Sequence, residues 1–376
     1  MRTILSVIGT RPEAIKMAPV LKELARCGDR VRSVVCATAQ HRRMLDQVLE
    51  LFAIRPDFDL DVMRPDQSLS RLAAALFAGL DPVIEQVSPD WVLAEGDTAT
   101  VLAAAIVSHY RRVRFGHVEA GLRTGDLANP FPEEMNRRFA DALASLLFAP
   151  TERARRNLLG EGVPAGRILV TGNTAVDALL ETASRPYDWA KGPLAGLPRG
   201  RRLVLVTAHR RESFGEPLRG ICAAVRDLAG EFGRDGVRFV YPVHPNPNVR
   251  AAASEILEGA PDVFLIEPLD YLAMVHLMKG AEIILTDSGG IQEEAPSLGV
   301  PVLVMRRETE RPEGVEAGAA RLVGTDRANI VEAAGRLLRD PAARAAMTGK
   351  PNPYGDGRAG HRIVEALLAA PAGPLG

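Results

Sequence analysis

Glu282-Ile283-Ile284-Leu285-Thr286-Asp287-Ser288-Gly289-Gly290-Ile291-Gln292-Glu293-Glu294-Ala295 is the stretch on which the fold turns. Its apolar core, Ile283 to Leu285, is short and apolar at every position, which predicts a strand (Glu282 to Thr286) buried on both faces. Ser-Gly-Gly then turns the chain into a helix whose leading backbone N–H groups no side chain obstructs. A buried strand running through a glycine turn into a helix is the repeating unit of a parallel α/β sheet.

The same rhythm recurs outward from this segment in both directions. In the first half, strands are predicted at Thr3 to Ile8, Val31 to Ala37, Trp91 to Ala94, Val113 to Val118 and Leu146 to Ala149, with helices between them. In the second half, strands are predicted at Leu203 to Thr207, Arg238 to Pro242, Val263 to Ile266, Glu282 to Thr286 and Val302 to Met305. Arg185 to Gly200 is rich in Pro and Gly and without apolar period, so it reads as a loop on or near a domain boundary. A last helix is expected at Ala359 to Ala369. The 376 residues suit two domains of the usual size, about 150 residues each.

Composition narrows the function classes. Lys plus Arg number 46 against 47 for Asp plus Glu, a net charge of -1, so neither nucleic acid nor an anionic membrane surface is expected as partner. No apolar run approaches the ~18 residues of a membrane span, and no signal sequence is read before the first strand, so the expected location is the cytoplasm. The cysteines Cys27, Cys36 and Cys222 have no C-x-x-C spacing and read as packing thiols. The absence of H-x-x-x-H and H-E-x-x-H spacing argues against a metal, and no G-x-G-x-x-G or P-loop pattern stands in Gly9 to Lys16 after the first strand, which leaves a nicotinamide dinucleotide or P-loop site there unsupported.

In open α/β sheets ligands bind beyond the carboxyl ends of the strands, and the candidate residues cluster there. Gly9-Thr10-Arg11-Pro12-Glu13-Ala14-Ile15-Lys16 starts a helix with Arg11 and Lys16 as cations, either a grip on an anionic substrate or surface charge on a capped helix. For Ser288, Gly289 and Gly290, capping and turning alone would account for the residues. Glu294, placed to accept ribose hydroxyls one turn later, and Arg311 favour a nucleotide diphosphate site. Glu95-Gly96-Asp97, His117-Val118-Glu119 and Glu133-Glu134 bring carboxylates to successive element ends. Glu95 and Glu134 fit solvated caps, whereas Asp97, Glu119 and Glu133 are candidates for paired acid/base work. Strand alternation would put His117 and Glu119 on one face. His209, beside Arg210 and Arg211 at a strand end, could aid an anionic leaving group, and His244 in its proline-rigid loop fits a binding or a structural role equally.

Together these segments resemble the non-hydrolysing UDP-N-acetylglucosamine 2-epimerases along nearly the whole chain. The carriers are Gly9 to Lys16, Thr38 to Arg42, Gly116 to Asp126, Pro132 to Asn136, His209 to Gly215, Thr286 to Glu294 and Glu310-Arg311-Pro312-Glu313. The resemblance implies the GT-B fold, two Rossmann-like doubly wound parallel-sheet domains facing across a cleft. Residues 1–172 with 355–376 would form the N-terminal domain and 173–354 the UDP-binding domain. It implies interconversion of UDP-N-acetylglucosamine and UDP-N-acetylmannosamine through a 2-acetamidoglucal by a cytoplasmic homodimer, without cofactor or metal. Asp97, Glu119 and Glu133 would be the catalytic acids and bases, and His209 would assist UDP departure. Arg11, Lys16, Ser288, Gly289, Gly290, Glu294 and Arg311 would hold UDP, with His244 and Met274 as further candidates. Leu269 and Met274 stand where some members carry Gln and Phe. A GT-B glycosyltransferase, a silent UDP-sugar sensor and an epimerase of a modified diacetamido sugar are the alternatives. Some bacterial members bind a second UDP-N-acetylglucosamine near the region of Gln40-His41-Arg42-Arg43 and Asp66. With Arg43 and Asp66 replacing the Gln and Arg of those members, that site is expected to be incomplete and turnover to need no activator.

Overall fold

The computed structural model describes residues 1–38, 42–64, 66–198 and 200–371, except the side chains of residues 42–44. The chain forms two units, Met1–Ala178 with Gly355–Gly376, and Leu179–Tyr354.

The first unit is built on a seven-stranded parallel sheet: β1 (Arg2–Ile8), β2 (Val31–Ala37), β3 (Phe58–Asp59), β4 (Trp91–Glu95), β5 (Arg114–Val118), β6 (Leu146–Ala149) and β7 (Ile168–Val170), in the order β3-β2-β1-β4-β5-β6-β7. The second carries β8 (Arg202–Thr207), β9 (Val237–Pro242), β10 (Val263–Ile266), β11 (Ala281–Thr286), β12 (Val302–Val304) and β13 (Ala320–Leu322), in the order β10-β9-β8-β11-β12-β13 and again all parallel. Both are doubly wound Rossmann-like sheets. Strand order reverses beside β1 in one and β8 in the other, which puts the ligand crevice of each at the carboxyl ends of β1/β4 and β8/β11.

Central strands bury apolar residues on both faces because helices cover both: Ile4, Leu5, Val7 and Ile8 of β1 and Ile283, Ile284 and Leu285 of β11 are wholly buried. The helix Leu69–Val87 turns Leu72, Leu76, Leu80, Val83, Ile84 and Val87 inward at helical spacing, and its Ser68 cap accepts the N–H of Arg71. The helix Ala359–Ala369 belongs to the first unit and packs on Arg11–Arg26. At Gly360 even a Cβ would lie 3.0 Å from the Pro19 backbone, so a larger residue would prise the two helices apart.

Three strands escape the sequence reading: β3, β7 and β13, of two or three residues each, all at sheet edges. An edge strand has one pairing partner and needs no long apolar run to be held. The segment 185–198 is mostly loop and begins close to the division between the two units, in keeping with its reading, but it is also packed. It contains a 3₁₀ turn, Gly192–Leu194, and its Leu194 and Leu197 are buried with Leu179 and Ala183 in the core of the second unit. Among the described residues no helix is long and apolar enough to cross a membrane.

Candidate active site

In the first unit, the ends of β1, β4 and β5 gather an unusual density of buried charge. Glu13, in the first turn of Arg11–Arg26, is 2% exposed. It accepts the Gly9 N–H at 2.6 Å and the Thr10 hydroxyl at 3.0 Å. Burial pushes its carboxyl up to about 7, against those hydrogen bonds. One helical turn on, Lys16 donates to both oxygens of Glu119 at 2.8 and 2.7 Å and lies 3.0 Å from Glu95. Asn173, just beyond β7, donates to Glu119 at 2.8 Å. Lys16 therefore has its ammonium among the carboxylates.

Glu95 and Glu134 are not the solvated caps that the sequence suggested; both are buried. Glu95 ends β4, and burial raises its pKa well above the ordinary value, with Glu119 and Glu13 adding repulsion and Lys16 opposing. Glu134 accepts the backbone N–H groups of Thr124 and Gly125 at 3.1 and 3.3 Å and lies 3.4 Å from Arg137, shaping the loop that follows β5.

His117 and Glu119 do not share a face. Strand β5 ends at Val118, and Glu119 takes a left-handed backbone (φ 67°), so strand alternation stops one residue too early. His117 instead places Nδ1 2.6 Å from Asp141 and Nε2 2.7 Å from the Gly96 carbonyl. Asp97 is held by Arg137 at 2.6 Å, and its carbonyl accepts from Asn136 at 2.9 Å. Half-buried Glu133 begins the helix Glu133–Leu143, four residues before Arg137 and thus on the same face. One guanidinium therefore joins Asp97 to Glu134, the residue that follows Glu133, while Glu119 stands with Lys16, Glu95 and Asn173. Arg11, at the start of its helix, is half-buried, and burial lowers its pKa.

In the second unit, wholly buried Asp287 organises the ends of β8 and β11. One carboxylate oxygen accepts the backbone N–H groups of His209 and Arg210 at 2.7 and 2.8 Å; the other lies 3.6 Å from the His209 ring. The His209 ring stacks on exposed His244, centroids 5.3 Å apart and planes 14° from parallel. Burial lowers the His209 pKa, helped by His244 and Arg210 and opposed by Asp287, so the imidazole favours its neutral form.

Ser288 precedes the short helix Gly289–Glu294, but its hydroxyl makes no capping bond, which removes the purely structural account of that serine. A Cβ on Gly289 would sit 3.4 Å from an Arg210 terminal nitrogen and 4.0 Å from the Arg311 guanidinium carbon, so two cations flank the glycine turn. Arg311 is held by an ion pair from its Nε to Glu293, and its carbonyl accepts from Tyr354 at 2.9 Å. Glu294 accepts the Tyr271 hydroxyl at 3.1 Å. Tyr271 opens the helix Tyr271–Gly280, capped by Asp270, on which Met274 lies half-buried against the apolar core.

Glu13, Arg137, Asn173, Asp287, Arg210 and Tyr271 are among the site neighbours that the sequence did not single out as candidates. Asp287 and Arg210 stand inside segments already chosen, whereas Asn173 follows an edge strand that carried no signal. Gln40, His41 and the side chains of Arg42 and Arg43 lie outside the described residues; Asp66 is exposed.

A sequence model of the UDP-N-acetylglucosamine 2-epimerase family matches residues 23–368. The UDP-N-acetylglucosamine 2-epimerase of Yersinia pestis is 53% identical over 370 residues, covering 97% of this chain and 98% of that protein. That of Escherichia coli K12 is 52% identical over 370 residues, with the same two coverages, 97% and 98%. The crystal structure of the Neisseria meningitidis UDP-GlcNAc 2-epimerase bound to UDP-GlcNAc is similar with a TM-score of 0.89 and 45% identity, covering 98% of this chain and 100% of that one. Likeness over both units bears out the GT-B fold class.

Proposed function

The chain belongs to the UDP-N-acetylglucosamine 2-epimerase family, and from that membership we propose that it interconverts UDP-N-acetylglucosamine and UDP-N-acetylmannosamine. A base removes the proton from the carbon bearing the acetamido group, and the bond from the anomeric carbon to the UDP oxygen breaks. A 2-acetamidoglucal and UDP result. A proton then returns to the same carbon from the opposite face while the UDP oxygen adds back to the anomeric carbon. Atoms and charge balance without any external reagent.

The observation that carries this reading is the array of carboxyl groups at the carboxyl ends of β1, β4 and β5, which a protein that only binds or transfers a UDP-sugar would not need. We assign proton transfer to Asp97, Glu119 and Glu133. Asp97 is partly exposed beside Arg137, whereas the Glu119 carboxylate is buried and shares Lys16 with buried Glu95, so the two carboxylates work in different electrostatic surroundings, as opposed acid and base steps require. In the second unit we assign the diphosphate to Ser288, Gly289, Gly290 and Arg311, the ribose to Glu294, and support of the leaving UDP to His209; in the first unit we assign Arg11 to binding of the substrate. His244, stacked on His209, holds its ring plane. Met274, on the helix of Tyr271, is assigned to the nucleoside region. Assembly as a homodimer in the cytoplasm belongs to the same proposal and rests on the family resemblance.

Incubation with UDP-N-acetylglucosamine alone in deuterated water tests it. Deuterium should appear on the acetamido-bearing carbon of both epimers. Epimer without label there would refute the elimination route, and no epimer at all would return the chain to the transferase or sensor readings.

A further inference from the structure

His117 is wholly buried, and both of its ring nitrogens face acceptors. Nε2 meets the Gly96 carbonyl, which has no proton to offer, at 2.7 Å, and Nδ1 meets Asp141 at 2.6 Å. Asp141 is 1% exposed, and its second oxygen accepts the Gly121 N–H at 3.2 Å and pairs with Arg123 at 2.8 Å, so its carboxyl is stabilised as an anion. Arg123 in turn grips Glu161 at 2.8 and 2.7 Å. The result is a row of alternating charge, His117, Asp141, Arg123, Glu161, drawn from β5, the helix Glu133–Leu143, the loop after β5 and the end of the helix Glu152–Gly160. The last member is partly exposed.

The residues this row holds are the ones flanking two proposed catalytic carboxylates. Gly96 precedes Asp97 and has φ 88°; Glu119 itself has φ 67°; Gly121 has φ 86°. A glutamate in the left-handed region persists only where its surroundings impose it. Here His117 is anchored two residues before Glu119 and Gly121 two residues after, both on Asp141.

We propose that His117 is a buried imidazolium which, paired with Asp141, acts as a positioning residue for Asp97 and Glu119. The inference rests on the epimerase reading for its activity arm only. Burial alone would strip the proton from His117; Asp141 and the Gly96 carbonyl outweigh burial and Arg123 and keep the pKa above its usual value. Asp141, Arg123 and, behind Arg123, Glu161 are the charged groups that face the pair.

Two measurements test it. Nitrogen-15 NMR of the ligand-free wild-type protein, labelled at histidine, should show one ring with both nitrogens protonated from about pH 6 to well above neutrality. A non-protonated nitrogen on every ring at about pH 8 would overturn the proposal whatever reaction the protein catalyses. In Asp141→Asn, which removes the carboxylate and keeps the shape, kcat should fall about tenfold or more with KM little changed, since displaced groups cost rate before affinity. The alkaline limb of the kcat profile should move toward neutrality by about one pH unit or more, because the proton on His117 has lost its anion. An alkaline limb that stays in place, or a proportional change in KM and kcat, would overturn the positioning role. If Asp141→Asn does not fold, the wild-type spectrum still decides the charge.

Discussion

Glu13 offers a direct link between burial and stability, and Glu13→Gln is the perturbation that reads it. The carboxyl is 2% exposed and holds its proton up to about 7, against an ordinary value of 4.5. Below the ordinary value both folded and unfolded chains carry that proton and the folded state bears no penalty. Between the two values the folded state binds more protons than the unfolded one, so stability falls as pH rises, and above about 7 the loss is complete. A difference of about 2.5 units at 1.36 kcal/mol each amounts to ~3 kcal/mol, of which about 2.5 falls between pH 5 and 8. Glutamine cannot ionise, yet its carbonyl still accepts the Gly9 N–H and its amide can donate to the Thr10 hydroxyl. The variant should therefore gain on the wild type by about 2 to 3 kcal/mol as pH goes from 5 to 8. Urea unfolding followed by the fluorescence of Trp91, buried in β4 of the same unit, measures this in a Trp189→Phe background. Subtracting the two proteins at each pH cancels the titrating groups that Glu13 does not influence. A stability difference equal at both pH values, or larger at pH 5, would show that Glu13 is ionised in the folded chain and that the reasoning from burial is wrong.

Asp97→Asn, Glu119→Gln and Glu133→Gln should each lower turnover by about two orders of magnitude or more, since proton transfer contributes roughly 10² to 10⁴, while calorimetry should show UDP still bound. Glu294→Ala should chiefly weaken UDP binding, and unchanged UDP affinity in the same titration would dismiss the ribose assignment. Gly121→Ala should destabilise the first unit by at least about 1 kcal/mol in thermal melts, because its Cβ would meet the Ala154 carbonyl oxygen at 2.4 Å on a backbone with φ 86°.

Much of this protein was legible in its sequence because the information was local. A run such as Ile283-Ile284-Leu285 followed by Ser-Gly-Gly specifies a buried strand, a turn and a helix within a dozen residues, and ten such units predict the two parallel sheets without knowledge of any contact. The motifs also marked Asp97, Glu119, His209, Ser288 and Glu294, since strand ends are where a parallel sheet exposes its loops.

Tertiary structure alone decided the partnerships. Lys16 reaches Glu119 from 103 residues away and Asp141 reaches His117 from 24, distances that only the strand order β1-β4-β5 and the helix after β5 close. It also turned Glu95 and Glu134 from apparent surface caps into buried carboxyls and rotated Glu119 off the face of His117 by one left-handed residue. Periodicity reports which way a side chain points while an element lasts. The charge a buried group carries depends on which other groups the fold brings within a few ångströms, and that sum runs over space rather than along the chain.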